Sequence, residues 1–444
     1  MSRFRVCIQH LAIIAVVFAI SLAIRTHYQS RSETASAVRA DAAKYTLTAY
    51  NIKKHGAFSL EQPAETPPQT RTDLRPGYPT FLTIWIDTPN NLREFADQVA
   101  RAQSVLGSLI VVVTFLIARC SFPWAFSLLP ALLVAICPHL IALEQYVLTE
   151  TLFTFLLMTG LLVLVCSWQR QSISLVIVAG LILGLSASVR YITYFLPLAC
   201  LPLMLFSPEQ AKFASRRQGL TMAAALFLGW SLALTAEGVF ERQYVHNADG
   251  VTVDNKHADL SRTTHMIRSR FSPPNWYARG ETTHVLADME DQTDKNWKLS
   301  TKQPFSEIPG KYITWNLWGR WVTLWNFDQL YHGGTTIYRM KKDGFKDSAF
   351  LALLYRTMRW LHWPLFILSV TGSALVLTSW CRHRLTGNPR LLLVSLFALA
   401  YLAAVLLLVS YIPRYSIPLR PLSYIMIVPA LHWTAGRIRA RLSA

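Results

Sequence analysis

The chain has 444 residues, 52% of them hydrophobic and only 15% charged, and its 43 Lys and Arg against 25 Asp and Glu leave a formal net charge of +18. An average soluble domain carries about 25% charged residues, and the mean hydropathy here is +0.29. These values argue against a soluble enzyme or a disordered chain and fit a polytopic membrane protein. The basic excess does not point to nucleic acid. It sits mainly in short loops beside apolar stretches and in one long loop, which suits topology and anionic lipid or phosphate partners.

Ten apolar stretches are long enough to be read as spans: 7–24, 102–118, 123–143, 149–167, 173–189, 191–206, 218–236, 358–380, 391–411 and 417–433. The first follows Arg3 and Arg5 and is read as an uncleaved helix, because its run is long and no small-x-small site follows. The stretch 191–206 contains Pro197 and Pro202 and suggests a broken helix. The expected fold is all-α and polytopic, with about ten transmembrane helices. Arg3, Arg5, Arg119, Arg170, Lys212, Arg216, Arg217, Arg382, Arg384, Arg390, Arg437, Arg439 and Arg441 collect on one side, and the short loops of the other hold little beyond Arg190, Arg414 and Arg420. The bias places both termini in the cytoplasm. Residues 1–236 then form an N-terminal membrane module with a first external loop at 25–101. Residues 237–357 form a second external loop, and 358–444 the C-terminal helices. The six cysteines (Cys7, Cys120, Cys137, Cys166, Cys200 and Cys381) lie in or beside apolar stretches, with no disulfide framework and no CxxC pair.

In the first loop, Ser36 can cap a helix whose apolar stripe is Val38, Ala42, Tyr45, Ala49 and Ile52, with Gly56 as its stop. Such a helix can lie in the membrane interface. Asp41 stands on it one turn before Tyr45. A carboxylate held there can act as a general base or be a solvated surface group. Arg75-Pro76-Gly77-Tyr78-Pro79 reads as a rigid turn with Gly77 bending sharply. It holds Arg75 near the interface, where a guanidinium can grip a phosphate or simply snorkel.

An external helix with Asp-x3-Tyr followed by Arg-Pro-Gly-Tyr-Pro resembles the GT-C glycosyltransferases, in particular the dolichyl-phosphate-mannose–protein mannosyltransferase and aminoarabinose transferase superfamily. Further matches occur in order. Leu148-Thr149-Glu150 opens the fourth span and Ser188-Val189-Arg190 ends the fifth. Tyr411-Ile412-Pro413-Arg414-Tyr415-Ser416-Ile417-Pro418 joins the last two. The sequence departs from the family in the first loop, where Asp41 is followed by Ala42 rather than a second acidic residue. No metal ligands can be placed, so no cofactor is certain, and the resemblance leaves a divalent metal possible.

The resemblance implies a polyprenyl-phosphate sugar donor and an acceptor glycan, lipid or protein. Asp41 would be the base of an inverting displacement, and Arg75, Arg190 and Arg414 would stabilise the departing phosphate. Tyr45, Tyr78, Glu150 and Tyr415 complete the candidate substrate-binding set. The implied setting is a bacterial inner membrane with a periplasmic site, or else an endoplasmic reticulum membrane. The alternative is a transporter or flippase for a lipid-linked saccharide, which calls for inverted repeats and mid-membrane charges.

Three further expectations concern individual residues. Trp315, Trp318, Trp321 and Trp325 should share one face of an interfacial helix, with Arg320 on its flank. Arg420, inside the tenth span, reads as a structural residue that snorkels to the interface or pairs with Glu150 or Glu144. His265, His284 and His332 match no zinc spacing.

Overall fold

The computed structural model describes residues 2–36, 38–62, 74–86, 91–201, 204, 216–245, 309–329, 334–381, 389–409 and 412–442. Lys212, His265, His284, His332, Arg382, Arg384 and Tyr411 lie outside the described residues, as does the Pro-rich segment before Leu74. The side chains of Arg3, Arg5 and Cys7 are also outside them.

The chain is mostly helical. The first half comprises α1 (Ser2–Ser30), α2 (Asp41–His55), α3 (Gly77–Leu82), α4 (Leu92–Arg119), α5 (Trp124–Ala135), α6 (Pro138–Leu143), α7 (Glu150–Arg170) and α8 (Ile173–Val189). A 3-10 segment, Tyr191–Cys200, leads to α9 (Arg216–Val245). The second half holds α10 (Pro309–Thr314), a π turn (Trp315–Gly319), α11 (Arg320–Leu324), α12 (Gly344–Asp347), α13 (Ala349–Cys381) and α14 (Pro389–Ala404). A second π turn (Val405–Val409) and a 3-10 turn (Pro413–Leu419) then precede α15 (Arg420–Leu442).

Among the described residues, six helices are long and apolar enough to cross a bilayer: Leu11–Ser30, Leu92–Arg119, Glu150–Trp168, Arg217–Phe240, Ala349–Cys381 and Pro389–Leu407. Shorter apolar helices account for other expected spans. The stretch 123–143 is divided into α5 and α6, because Pro138 starts a new helix. Of the stretch 191–206, Tyr191–Cys200 forms the 3-10 segment around Pro197. The stretch 417–433 starts in a 3-10 turn and continues as α15.

Several helices outrun their apolar cores. At 28 residues, α4 is about 42 Å long, against a hydrocarbon core of about 30 Å. Its first turns therefore extend ahead of the apolar stretch 102–118. Asn91 caps this overhang by accepting a hydrogen bond from the Glu94 amide at 3.2 Å.

Small residues set the close packing of α8 on α9. A Cβ at Gly184 would stand 3.0 Å from the Trp230 carbonyl oxygen, so the two backbones touch as in membrane helix pairs. Elsewhere the bundle core is bound by a buried ion pair, Arg25 Nε to Glu144 Oε1 at 2.9 Å. Glu144 is therefore not the partner of Arg420. The Arg420 guanidinium lies over the Trp325 ring at 5.2 Å and 3.4 Å from His362 Nδ1. Of the two structural readings of Arg420, the pairing with Glu144 or Glu150 is not made, since both carboxylates are bound by other arginines.

The Trp residues do not share one face. Trp315 and Trp325 are buried at 0% and 4% exposure, whereas Trp318 and Trp321 are open at 70% and 43%. The π turn over Trp315–Gly319 inserts an extra residue and rotates the positions C-terminal to it. Arg320 is buried; it donates to Asn316 Oδ1 at 3.2 Å and to the Leu406 carbonyl. An element absent from the all-α expectation is a two-stranded antiparallel ribbon, β1 (Glu33–Thr34) with β2 (Met340–Lys342). It ties the segment after α1 to the segment before α12.

Candidate active site at one end of the bundle

The site grows from the N-terminus of α7. Glu150 is the first residue of that helix, where the unsatisfied amides and the helix dipole favour a negative charge. Its side chain is fully buried. Arg190, which ends α8, places Nη1 2.6 Å from Glu150 Oε1 and donates to Thr149 Oγ1 at 3.3 Å. Arg414, in the turn Pro413–Leu419, puts Nε 3.3 Å from the same carboxylate oxygen. One buried carboxylate thus holds two guanidinium groups that would otherwise repel. Tyr415 lies against both, its ring 4.9 Å from the Arg190 guanidinium carbon and 5.3 Å from that of Arg414. The Tyr401 hydroxyl donates to the Tyr415 carbonyl at 3.0 Å and steadies it.

Asp41 closes the cluster. It is the first residue of α2, and its Oδ2 accepts from Arg414 Nη2 at 2.8 Å. At 37% exposure it is the open end of an otherwise buried chain of charges. The residue before it, Ala40, has φ +50° and ψ −117°. A non-glycine residue held there costs about 1–3 kcal/mol, and such strain gathers at functional sites. The structure begins α2 at Asp41, without the expected Ser36 cap; Ser36 Oγ donates instead to the Val38 carbonyl at 3.1 Å. The expected stop holds: Gly56 has φ +60°, and its amide bonds the Ile52 carbonyl at 3.2 Å.

Tyr45 lies one turn along α2. Burial pushes its hydroxyl up to about 12, with Arg190 pulling the other way and Glu150 and Asp41 adding to the rise. Its ring meets Tyr78 edge-on at 5.3 Å. Tyr78 donates to Gln103 Oε1 at 3.1 Å, and Gln103 in turn donates to the carbonyls of Glu144 and Tyr146 at 3.0 and 2.7 Å. These bonds fix α2 and α3 against the bundle.

Arg75 takes a different partner. Its Nη1 donates to Glu237 Oε1 at 2.9 Å, and its guanidinium lies 4.9 Å over the Tyr194 ring. The expected sharp turn at Gly77 is a short helix instead, and Gly77 has no positive φ. Gly77 is needed there for space, because a Cβ would stand 2.6 Å from Ser188 Oγ and 2.8 Å from the Ser188 backbone.

Tyr338 joins the site without any signal in the sequence. Its side chain lies near Arg414, Asp41 and Glu150; burial raises its pKa and the Arg414 charge opposes the rise. Its carbonyl accepts from the Tyr146 hydroxyl at 3.0 Å. No periodicity or motif marks it, since the ribbon that places it is only a few residues long.

For a divalent cation the donor set is incomplete. Asp41 and Glu150 are both engaged by guanidinium groups. Among the described residues no three His, Cys, Asp or Glu side chains gather. Among the described residues, then, no complete set of metal ligands stands at this site.

Comparison with known proteins matches this geometry to a fold. The model of the dolichyl-phosphate-mannose-protein mannosyltransferase family matches residues 86–232, about a third of the chain. The chain is similar to the solved archaeal oligosaccharyltransferase AglB from Archaeoglobus fulgidus in complex with an inhibitory peptide and a dolichol-phosphate. The TM-score is 0.56 at 14% identity, over 98% of this chain and 51% of that one. The apo form of the Archaeoglobus fulgidus oligosaccharyltransferase gives 0.55 at 15% identity, over 98% and 51%. Its complex with Zn and sulfate gives 0.53 at 13%, over 97% and 50%. The chain thus spans about half the length of the solved structures it matches. No curated protein matches. The resemblance read from the motifs is shown at the level of fold: the chain is a multi-pass membrane protein with a GT-C-like fold.

Proposed function

We propose that this GT-C chain is a glycosyltransferase that moves a sugar from a polyprenyl-phosphate donor to an acceptor on the non-cytoplasmic face. The observation that carries the reading is the linked cluster Asp41–Arg414–Glu150–Arg190, four charges from four distant segments meeting at one end of the bundle. The family match to mannosyltransferases and the dolichol-phosphate seen with AglB support a lipid-phosphate donor.

The chemistry follows from the charges. The acceptor oxygen forms a bond to the anomeric carbon as the carbon–oxygen bond to phosphate breaks, and the bonding pair leaves with the phosphate. Asp41 takes the acceptor proton. Arg414 and Arg190, preorganised by Glu150, stabilise the charge developing on the phosphate, a contribution of about 10²–10³ in rate for a single such donor. Phosphate entering beside Arg414 competes with Asp41 for that guanidinium, so donor binding releases the carboxylate toward the acceptor. A single displacement inverts the anomeric centre. Arg75 reaches the phosphate only if it leaves Glu237. The setting proposed is the bacterial inner membrane with the site in the periplasm.

The test is incubation of purified protein with radiolabelled polyprenyl-phosphate sugars and membrane extracts, scoring release of polyprenyl phosphate and label on an acceptor. Release that depends on acceptor supports the reading. No release from any donor, with transport of lipid-linked saccharide across vesicles instead, would replace it with the flippase alternative.

A further inference from the structure

A second concavity lies at the same end of the bundle, between the last turn of α1, strand β1 and the overhanging first turns of α4. Its volume is about 700 Å³, within the range of ligand sites. Gln29, Ser30, Ser36 and Gln145 present amides and hydroxyls to it, and no described residue lining it is aromatic. Charges of both signs stand at its walls. Glu33 Oε1 lies 3.2 Å from Arg93 Nη2 and 3.3 Å from Lys341 Nζ, with Asp97 and Arg101 on α4.

This chemistry selects its occupant. A lipid chain would leave these polar groups unpaired. Amides and hydroxyls both donate and accept, as sugar hydroxyls do.

Asp41 does not line the concavity, but it lies close along the chain. Val38 lines it, and three residues of chain reach at most about 11 Å, so Asp41 is within one small molecule's length. On the other wall, Gln145 precedes Tyr146, whose hydroxyl holds the carbonyl of Tyr338, the residue that meets Arg414.

We infer that this cavity binds carbohydrate and presents a hydroxyl of the acceptor to Asp41. The word acceptor rests on the transferase reading, whereas the binding of saccharide does not.

The experiment uses the full chain in nanodiscs, with maltotriose and chitotriose as probes, followed by saturation-transfer NMR. Ala35 is exposed and lines the cavity, so Ala35→Trp fills the space without removing a side-chain contact. Gln29→Ala is the milder variant should the first fail to fold. At least one trisaccharide should bind the wild type and Asp41→Asn alike, and lose at least fivefold in affinity in Ala35→Trp or Gln29→Ala at an unchanged melting temperature. Binding of neither probe, or equal binding by folded cavity variants, overturns the inference. Saccharide binding that persists while Asp41→Asn transfers sugar at the wild-type rate sinks the transferase mechanism and leaves the site standing.

Discussion

Replacing Glu150 by Gln isolates the centre of the charge cluster. Its carboxylate oxygen lies 2.6 Å from Arg190 and 3.3 Å from Arg414, and the two arginine side chains are only 12% and 16% exposed. Glutamine keeps the shape and removes the charge, leaving two guanidinium groups facing Asp41 alone. Two unit charges about 3 Å apart at an effective dielectric of 20 attract by about 5 kcal/mol. Breaking a buried pair costs about 3–5 kcal/mol, and the residual exposure here favours the lower end. The assay is thermal unfolding of the purified protein with and without polyprenyl phosphate. Glu150→Gln should melt several degrees below the wild type. An anionic phosphate supplies the missing charge, so the ligand should raise the melting temperature of the variant more than that of the wild type. At a hundredfold excess over Kd a ligand contributes about 2.7 kcal/mol, enough to return most of the loss. A variant that melts with the wild type, or an equal ligand shift in both, would refute the idea that Glu150 balances two phosphate-binding arginines.

Gly77→Ala should lower thermal stability by about 1–3 kcal/mol of overpacking. Ser188→Ala should not rescue it, because the Ser188 backbone also stands 2.8 Å from the new Cβ; an unchanged melting temperature would contradict the close approach. Tyr338→Phe removes a hydroxyl that stands near the Arg414 charge. Transfer should fall about tenfold with donor binding nearly kept, as measured by initial rates and Kd. Glu33 is held below its ordinary value of 4.5 chiefly by the hydrogen bond from Lys341, with the Arg93 charge assisting. Its contribution to the ribbon is therefore complete above pH 4.5 and is lost as pH falls through the lowered value. Hydrogen exchange at the Ala35 amide, which bonds the Arg339 carbonyl, should accelerate in acid after correction for intrinsic rates. Glu33→Gln should remove that pH dependence.

The sequence was legible wherever one charge interrupts a long apolar run. Glu150 and Arg190 sit at helix ends that hydropathy alone locates, and Arg414 comes directly after Pro413, which opens a 3-10 turn. Asp41 and Tyr45 could be placed on one helix by spacing, but not their junction with Arg414, which joins residues 373 positions apart. The hidden features have local causes. The π turn at Trp315–Gly319 rotates the Trp stripe without leaving a compositional trace. The ribbon that positions Tyr338 is too short for an alternating pattern. Gly77 looks like a turn glycine, and only the proximity of Ser188 shows that it serves packing. Arg25 reads as the end of an apolar run, and its pairing with Glu144 needs the helices already assembled.

The role of the Asp41 carboxylate is tested most directly by Asp41→Asn, assayed side by side with the wild type for donor binding and for sugar transfer. The amide keeps the size of the carboxylate and cannot take the acceptor proton. General-base catalysis is worth about 10²–10⁴ in rate. Transfer should therefore fall at least about a hundredfold with polyprenyl-phosphate-sugar still bound. Transfer at the wild-type rate by a folded Asp41→Asn protein would contradict a carboxylate base at this position.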